Sequence, residues 1–176
     1  VRELVVCLPP GVSKAILVGV LFPAWLWLHR PTERILGVSN AEDLAVRDNR
    51  RARDVMRSDW YQRVLRATPK TWTFAEDANE KVDYVNSAGG QRIAAGINAI
   101  NTGKRVDGLI VDDPCSAKAA LGAPTEVQRR MVAIEETYRT VLANRVDAVR
   151  GWRIVVMQRL CEGDLADCRI TAGARA

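Results

Sequence analysis

Short apolar runs alternate with longer stretches of helical periodicity along this chain. Leu4-Val5-Val6-Cys7-Leu8 is apolar throughout, as strands covered on both faces of a parallel sheet are, and Pro9-Pro10-Gly11 ends it. From Lys14 to Leu28 the pattern predicts a helix with apolar residues around its whole circumference, wedged between a sheet and other elements. Pro23 would bend or break it. Arg34 to Val38 reads as the second strand. Ser39 stands three residues before Glu42, a capping-box spacing. Leu44, Ala45, Ala52, Val55 and Met56 then share one helical face, and Arg47, Arg50, Arg51, Arg53 and Arg57 populate the rest. That arginine cluster reads as a solvated face or as a DNA-contacting one.

Residues 68 to 106 predict turns and short antiparallel strands. Within them, 82 to 87 and 91 to 96 flank Ala88-Gly89-Gly90 as a hairpin. Leu109-Ile110-Val111 is the next all-apolar strand. Thr125 with Gln128 repeats the capping-box spacing, and Val127, Met131, Ile134, Tyr138, Val141 and Leu142 trace a helical stripe. Arg153 to Met157 is the last strand. This order predicts an α/β fold: a mainly parallel central sheet, helices on both faces, and a β-hairpin.

Composition narrows the class. With 176 residues the chain makes one domain, and 48% hydrophobic against 27% charged residues excludes a disordered segment. A net charge of +5 permits a polyanionic partner without requiring one. Four cysteines without CxxC spacing and one histidine, His29, do not make a zinc set. The apolar run from Ala15 to Leu28 is too short to span a bilayer, contains Pro23 and lacks a leader-cleavage pattern, so no membrane association is expected. Val1 already lies inside a strand-like run, which suggests a fragment of a longer protein.

In parallel sheets ligands bind beyond the carboxyl ends of strands. Three strand ends here carry polar or turn chemistry, and they are expected to converge. The first is Pro9-Pro10-Gly11-Val12-Ser13-Lys14: a strand, a tight turn, a lysine and a helix. Backbone N–H groups at such a helix start cradle phosphate, and the ammonium neutralises phosphate charge. The spacing departs from GxxxxGK[ST], with Leu8 and Ser13 at the glycine places and Ala15 where a magnesium-binding hydroxyl is usual. The second is Asp112-Asp113, two carboxylates tipping a strand. The first would hold magnesium, and the second would orient or deprotonate a water. The third is Gln158-Arg159, which can sense a γ-phosphate after the last strand. Each has a plain alternative: a stray lysine, an acidic turn before Pro114, a polar turn.

These residues resemble the large subunits of phage terminases. Val6 to Ala15 and Leu21 to Trp25 look like the start of that family's motor domain. Gly37 to Ala45, Gly90 to Ile97, the stretch from Asn101 to Arg105, Leu109 to Pro114, Val156 to Leu160 and Glu162 to Ala166 follow in order over nearly the whole chain. The resemblance implies a three-layer P-loop NTPase of the additional-strand class across residues 1–176. It implies ATP and Mg2+ as cofactors, double-stranded DNA, portal protein and small terminase subunit as partners, and a homo-oligomeric ring. It places the motor in the bacterial host cytoplasm, at the procapsid portal during packaging.

By the same resemblance Pro10, Gly11, Val12, Ser13, Lys14 and Ala15 form the phosphate loop, and Asp112 is the magnesium-holding acid. Asp113 stands where relatives place a catalytic glutamate, and Gln158 and Arg159 match the segment coupling hydrolysis to movement. Cys161 replaces a common histidine. Lys104 and Arg105 are candidates for an arginine-type contribution to a neighbouring site. The adenine-contacting segment before residue 1 and a nuclease domain after residue 176 lie outside this chain, and the tail from Cys168 drifts from the family pattern. Three readings follow: an ATP-driven DNA-packaging motor, a degenerate prophage remnant of the same fold that hydrolyses nothing, or a helicase-like translocase. For the last, the chain has no room for the second recombination-like domain.

Overall fold

The computed structural model describes residues 2–99 and 103–175, with the side chains of 76–79 outside that description. Asn101 and Thr102 of the quoted stretch therefore lie outside the described residues. Seven strands form one sheet: β1 (Arg2–Cys7), β2 (Arg34–Ser39), β3 (Phe74–Asn79), β4 (Asp83–Asn86), β5 (Gln91–Gly96), β6 (Gly108–Asp112) and β7 (Trp152–Met157). Their spatial order is β1-β7-β6-β2-β5-β4-β3. The first five in that order are mutually parallel, while β4 and β3 add antiparallel at one edge. The expected hairpin is thus present, but its second strand, β5, also pairs with β2 and belongs to the parallel sheet.

Alternation along the strands divides the core between two faces, since successive side chains point oppositely. Leu36, Val38, Leu109, Val111, Val155 and Met157 pack on one side with Tyr138, Leu142 and Leu165. Ile35 and Ile110 pack on the other with Trp27, Ala52, Met56, Tyr61, Trp72 and Tyr84. The first face is covered by α4 (Pro124–Thr137), its continuation Tyr138–Leu142, and α5 (Leu165–Thr171). The second is covered by α1 (Phe22–His29), α2 (Glu42–Arg57) and α3 (Asp59–Arg66). This is the three-layer α/β arrangement that the apolar strands predicted. Gly108 opens β6 because a Cβ there would lie 2.0 Å from the Trp152 ring on β7.

Several local expectations need correction. The helix after β1 is not uniform: Ile16–Leu21 is π-helical and passes into α1, with Pro23 in the first turn of α1. Pro23 has no N–H to give to the continuing ladder, and it sits where the wider π turns pass into α1. Nor is that helix buried all round, since Leu17, Leu21 and Trp25 are exposed at four-residue spacing. Neither capping box forms. Ser39 ends β2 and is buried, so the α2 N-cap is Ala41, and α4 starts at Pro124 after Ala123. The tail is integrated into the fold. Arg169 of α5 pairs with Glu3 of β1 and Glu135 of α4, and Arg175 forms a parallel bridge with Leu4.

Candidate functional site

The carboxyl ends of β1, β6 and β7 meet. Lys14 begins the helix after the β1 turn and is 7% exposed. Its Nζ lies 3.1 Å from Oδ2 of Asp113. The other oxygen of Asp113 accepts the backbone N–H of Gln158 at 3.2 Å, and Asp113 itself donates N–H to the Val156 carbonyl at 2.8 Å. The three segments singled out in the sequence therefore converge, and Asp113 joins them.

The turn geometry explains how. Gly11 has φ +85°, Ser13 +58° and Asp113 +40°. Left-handed backbone reverses a chain tightly and is easiest for glycine. Ser13 adopts it with a side chain attached, at the place where the phosphate-loop pattern has its second glycine. The Ser13 carbonyl then accepts the Leu17 N–H at 3.0 Å, which launches the helix. At Asp113 the left-handed turn carries the carboxylate out of the β6 direction toward Lys14.

Asp112 ends β6 beside Ser39 of β2. One of its oxygens, Oδ1, is buried without a hydrogen-bond partner. Burial pushes its carboxyl up to about 6, and the negative charges of Asp113 and Asp48 add to the rise against Lys14 and Arg47. An orphaned carboxylate oxygen next to like charges suits a cation. Among the described residues no three His, Cys, Asp or Glu side chains gather into a metal cage. A divalent ion held by one carboxylate plus phosphate oxygens is the arrangement that magnesium takes in nucleotide sites, so the residues present fit it.

Two contributors were missed in the sequence. Asp48 and Arg47 of α2 stand in electrostatic reach of Asp112. Arg47 grips Asp48 with both ends of its guanidinium, at 2.9 and 3.2 Å, and Arg51 approaches at 3.5 Å. Asp48 and Asn49 are buried polar residues interrupting the stripe of Ala45, Ala52 and Met56. That interruption is the signal the sequence offers, set among five arginines of the same helix.

The other named residues lie as follows. Pro10, Gly11, Val12 and Ser13 are exposed and Ala15 half-buried at the turn and helix start. Gln158 is half-buried. Arg159 does not face Lys14 but is held by Asp164 at 3.3 Å and Asp167 at 3.0 Å, while Asp164 also caps α5. Cys7 and Cys161 both stand in electrostatic reach of Arg159 and Asp164, and burial raises both thiols. Lys104 pairs with Asp83 of β4 at 2.6 Å, and Arg105 precedes Val106 at the amino-terminal side of β6. Both are away from the Lys14 cluster.

Comparison with solved structures finds the ATPase domain of the large terminase of Thermus phage P74-26. It superposes with a TM-score of 0.59 at 11% identity, covering 89% of this chain and 59% of that one. A point mutant of the same domain gives 0.56 at 15% identity, covering 94% and 62%. The fold is thus that of a large terminase ATPase domain, and this chain spans about three fifths of the length of those it matches. No family model and no curated protein matches the sequence. Among the described residues no helix is long and apolar enough to cross a membrane.

Proposed function

We propose that this chain is an ATP-hydrolysing motor domain of the DNA-packaging kind, acting at the Lys14, Asp112 and Asp113 cluster. The observation that supports it most is the 3.1 Å approach of Lys14 to Asp113, two residues distant in sequence brought together at the end of a parallel sheet. Lys14 would exchange its carboxylate partner for β- and γ-phosphate oxygens, with the backbone of residues 10 to 15 wrapping the phosphates. Asp113, released by the ammonium but still fixed by the Gln158 N–H, would take a proton from an attacking water. Asp112 would hold Mg2+, whose charge neutralises the phosphates when bound. Gln158 shares a backbone hydrogen bond with Asp113, and Arg159 connects the same loop to α5. These contacts offer a route from the site to the helix and suit a coupling segment. Double-stranded DNA, a portal, a small terminase subunit and a ring of copies would be the partners of the whole motor, in the host cytoplasm.

One observation favours a second reading. Ala15 brings no hydroxyl to the place where magnesium is usually bound. A remnant of the fold that binds nucleotide without turning it over is consistent with that loss, because groups acting as a unit lose most of their rate together. Titration with an ATP analogue and Mg2+, followed by DNA-stimulated phosphate release, separates the two. Binding with release supports the motor, binding without release supports the remnant, and no binding by the folded protein removes the motor.

A further inference from the structure

A groove of about 1050 Å³ opens at the opposite end of the sheet from Lys14 and Asp113. The amino-terminal ends of strands border it: Arg2 begins β1, Arg34 begins β2, Trp152 begins β7, and Asp107 precedes β6. Strands of five or six residues, at ~3.3 Å each, put it roughly 15–20 Å from the phosphate loop. It is a separate site from the one proposed above.

Its wall combines two chemistries. Phe22 and Trp25 stack with ring centres 5.9 Å apart and planes at 27°, and Trp25 also lies 4.9 Å from the His29 ring. Phe22 is in turn held edge-on by Trp152 at 5.3 Å. Trp25 remains 53% exposed. An indole fixed by neighbours and still open to solvent is a ready stacking surface, because little side-chain freedom remains to be lost.

The second chemistry is an excess of positive charge. Five cationic side chains line the groove against two carboxylates, Glu33 and Asp107. Asp107 is engaged by Arg34 at 3.1 and 3.2 Å. Glu33 takes Arg30 at 3.6 Å and the Trp152 indole N–H at 3.1 Å. Among the described residues the Lys70 ammonium donates to the His29 carbonyl, at 3.1 Å, and meets no carboxylate. Among the described residues, Arg2 and Arg150 have no carboxylate within ion-pair distance. Asp147, on the same loop as Arg150, accepts the backbone N–H groups of Val149 and Arg150, and its charge stands in electrostatic reach of Arg150 and Arg34 without an ion-pair contact.

We propose that this groove binds an unpaired stretch of nucleic acid, with a base stacked on Trp25 and phosphates met by Arg2, Lys70 and Arg150. An inorganic anion gives Trp25 no role, and an apolar peptide brings no anion to Arg2, Lys70 and Arg150. A duplex keeps its bases stacked inside, so it presents phosphates but no free base face. Bases of every kind stack on aromatic rings, so the groove reads strand state and not sequence.

The test is fluorescence anisotropy of a labelled oligothymidylate, with no ATP or Mg2+ present. Trp25→Ala and Arg150→Glu change exposed side chains, and circular dichroism checks that both variants fold. Each should weaken binding about tenfold, and Arg150→Glu should also reduce the dependence on log salt by about one phosphate contact. Lys14→Met should leave oligonucleotide affinity unchanged, so failure of the ATPase reading and failure of this one are told apart. Binding unaffected by both groove variants would overturn the proposal. So would a mononucleotide competing as well as the oligonucleotide, which would assign the groove to free nucleotide, or a duplex binding as tightly and as insensitively to Trp25→Ala.

Discussion

The ammonium of Lys14 and the carboxylate of Asp113 form an ion pair in which the lysine is buried and the acid 40% exposed. Such a pair is asymmetric. Lys14 was moved from water for one partner, whereas Asp113 keeps solvent contact and a second hydrogen bond from the Gln158 N–H. A buried cation with a single carboxylate has much to gain from further anionic oxygens.

The first prediction follows from that asymmetry. Lys14→Met should lower affinity for an ATP analogue by about tenfold or more, since a charge-assisted hydrogen bond is worth about 1.5–3 kcal/mol. Asp113→Asn should keep nucleotide affinity while reducing hydrolysis by about 10²–10⁴-fold, the usual contribution of a general base. Isothermal titration and single-turnover phosphate release read the two effects separately. Equal loss of binding in both variants would mean that Asp113 only positions the lysine.

The second concerns Asp112 and pH. Burial and the neighbouring Asp113 and Asp48 raise its carboxyl to about 6, against about 4 in an unfolded chain. The folded form therefore holds the proton more tightly. The stability that this contributes is complete below about pH 4, declines as pH rises, and is gone above about pH 6. Relative to wild type, Asp112→Asn should gain about 1–2 kcal/mol between pH 4 and pH 7, allowing for partial solvent exposure. Urea titrations of both proteins across that range measure it. Magnesium-dependent nucleotide binding should weaken in wild type as pH falls through 6, because the proton competes with the cation.

Much of this was legible along the chain. The apolar strands and the chemistry at their ends announced a parallel sheet and the meeting of Lys14 with Asp113, because burial on both faces leaves an unbroken apolar run. The backbone of Ser13 was not legible. Its left-handed backbone persists without glycine, and a motif written in residue types cannot register that. Long-range polar placement was not legible. Asp48 reaches Asp112 only through the packing of α2 against the sheet, and Arg159 turns toward α5 because Asp164 and Asp167 present two carboxylates one helical turn apart. The capping boxes failed for a related reason. Ser39 has the right spacing, but strand pairing with β6 and β5 claims it first.

Ala15 supports the third prediction. It sits at the second residue of the helix after Lys14, half-buried, with no side-chain oxygen to offer. Ala15→Ser should raise magnesium-dependent nucleotide affinity and, if Asp112 and Asp113 are otherwise competent, increase DNA-stimulated hydrolysis by tenfold or more. Helix propensity argues against any gain in stability, since serine is slightly worse than alanine inside a helix. A variant with unchanged turnover and unchanged magnesium dependence would place the deficiency elsewhere in the site.

The last prediction tests whether the far end of β1 is held independently of the turn that leads to Lys14. Arg169 of α5 is 14% exposed and pairs with Glu3 at 3.0 Å and Glu135 at 3.1 Å. Its guanidinium also lies 5.2 Å from the Tyr138 ring centre, and the Tyr138 hydroxyl donates to Glu3. One side chain thereby connects α5, β1 and the end of α4. Arg169→Ala leaves two carboxylates facing each other without a cation and should cost about 3 kcal/mol in urea unfolding. Arg169→Lys keeps the charge but cannot present two parallel N–H donors, so it should recover only part of that. The Arg169 and Glu3 changes combined should cost less than their sum, because they share one interaction. Nucleotide affinity of the folded Arg169→Ala protein should be unchanged, since Glu3 lies near the start of β1 and the proposed phosphate loop follows its end. A parallel fall in affinity would instead show that β1 transmits strain along its length to Lys14.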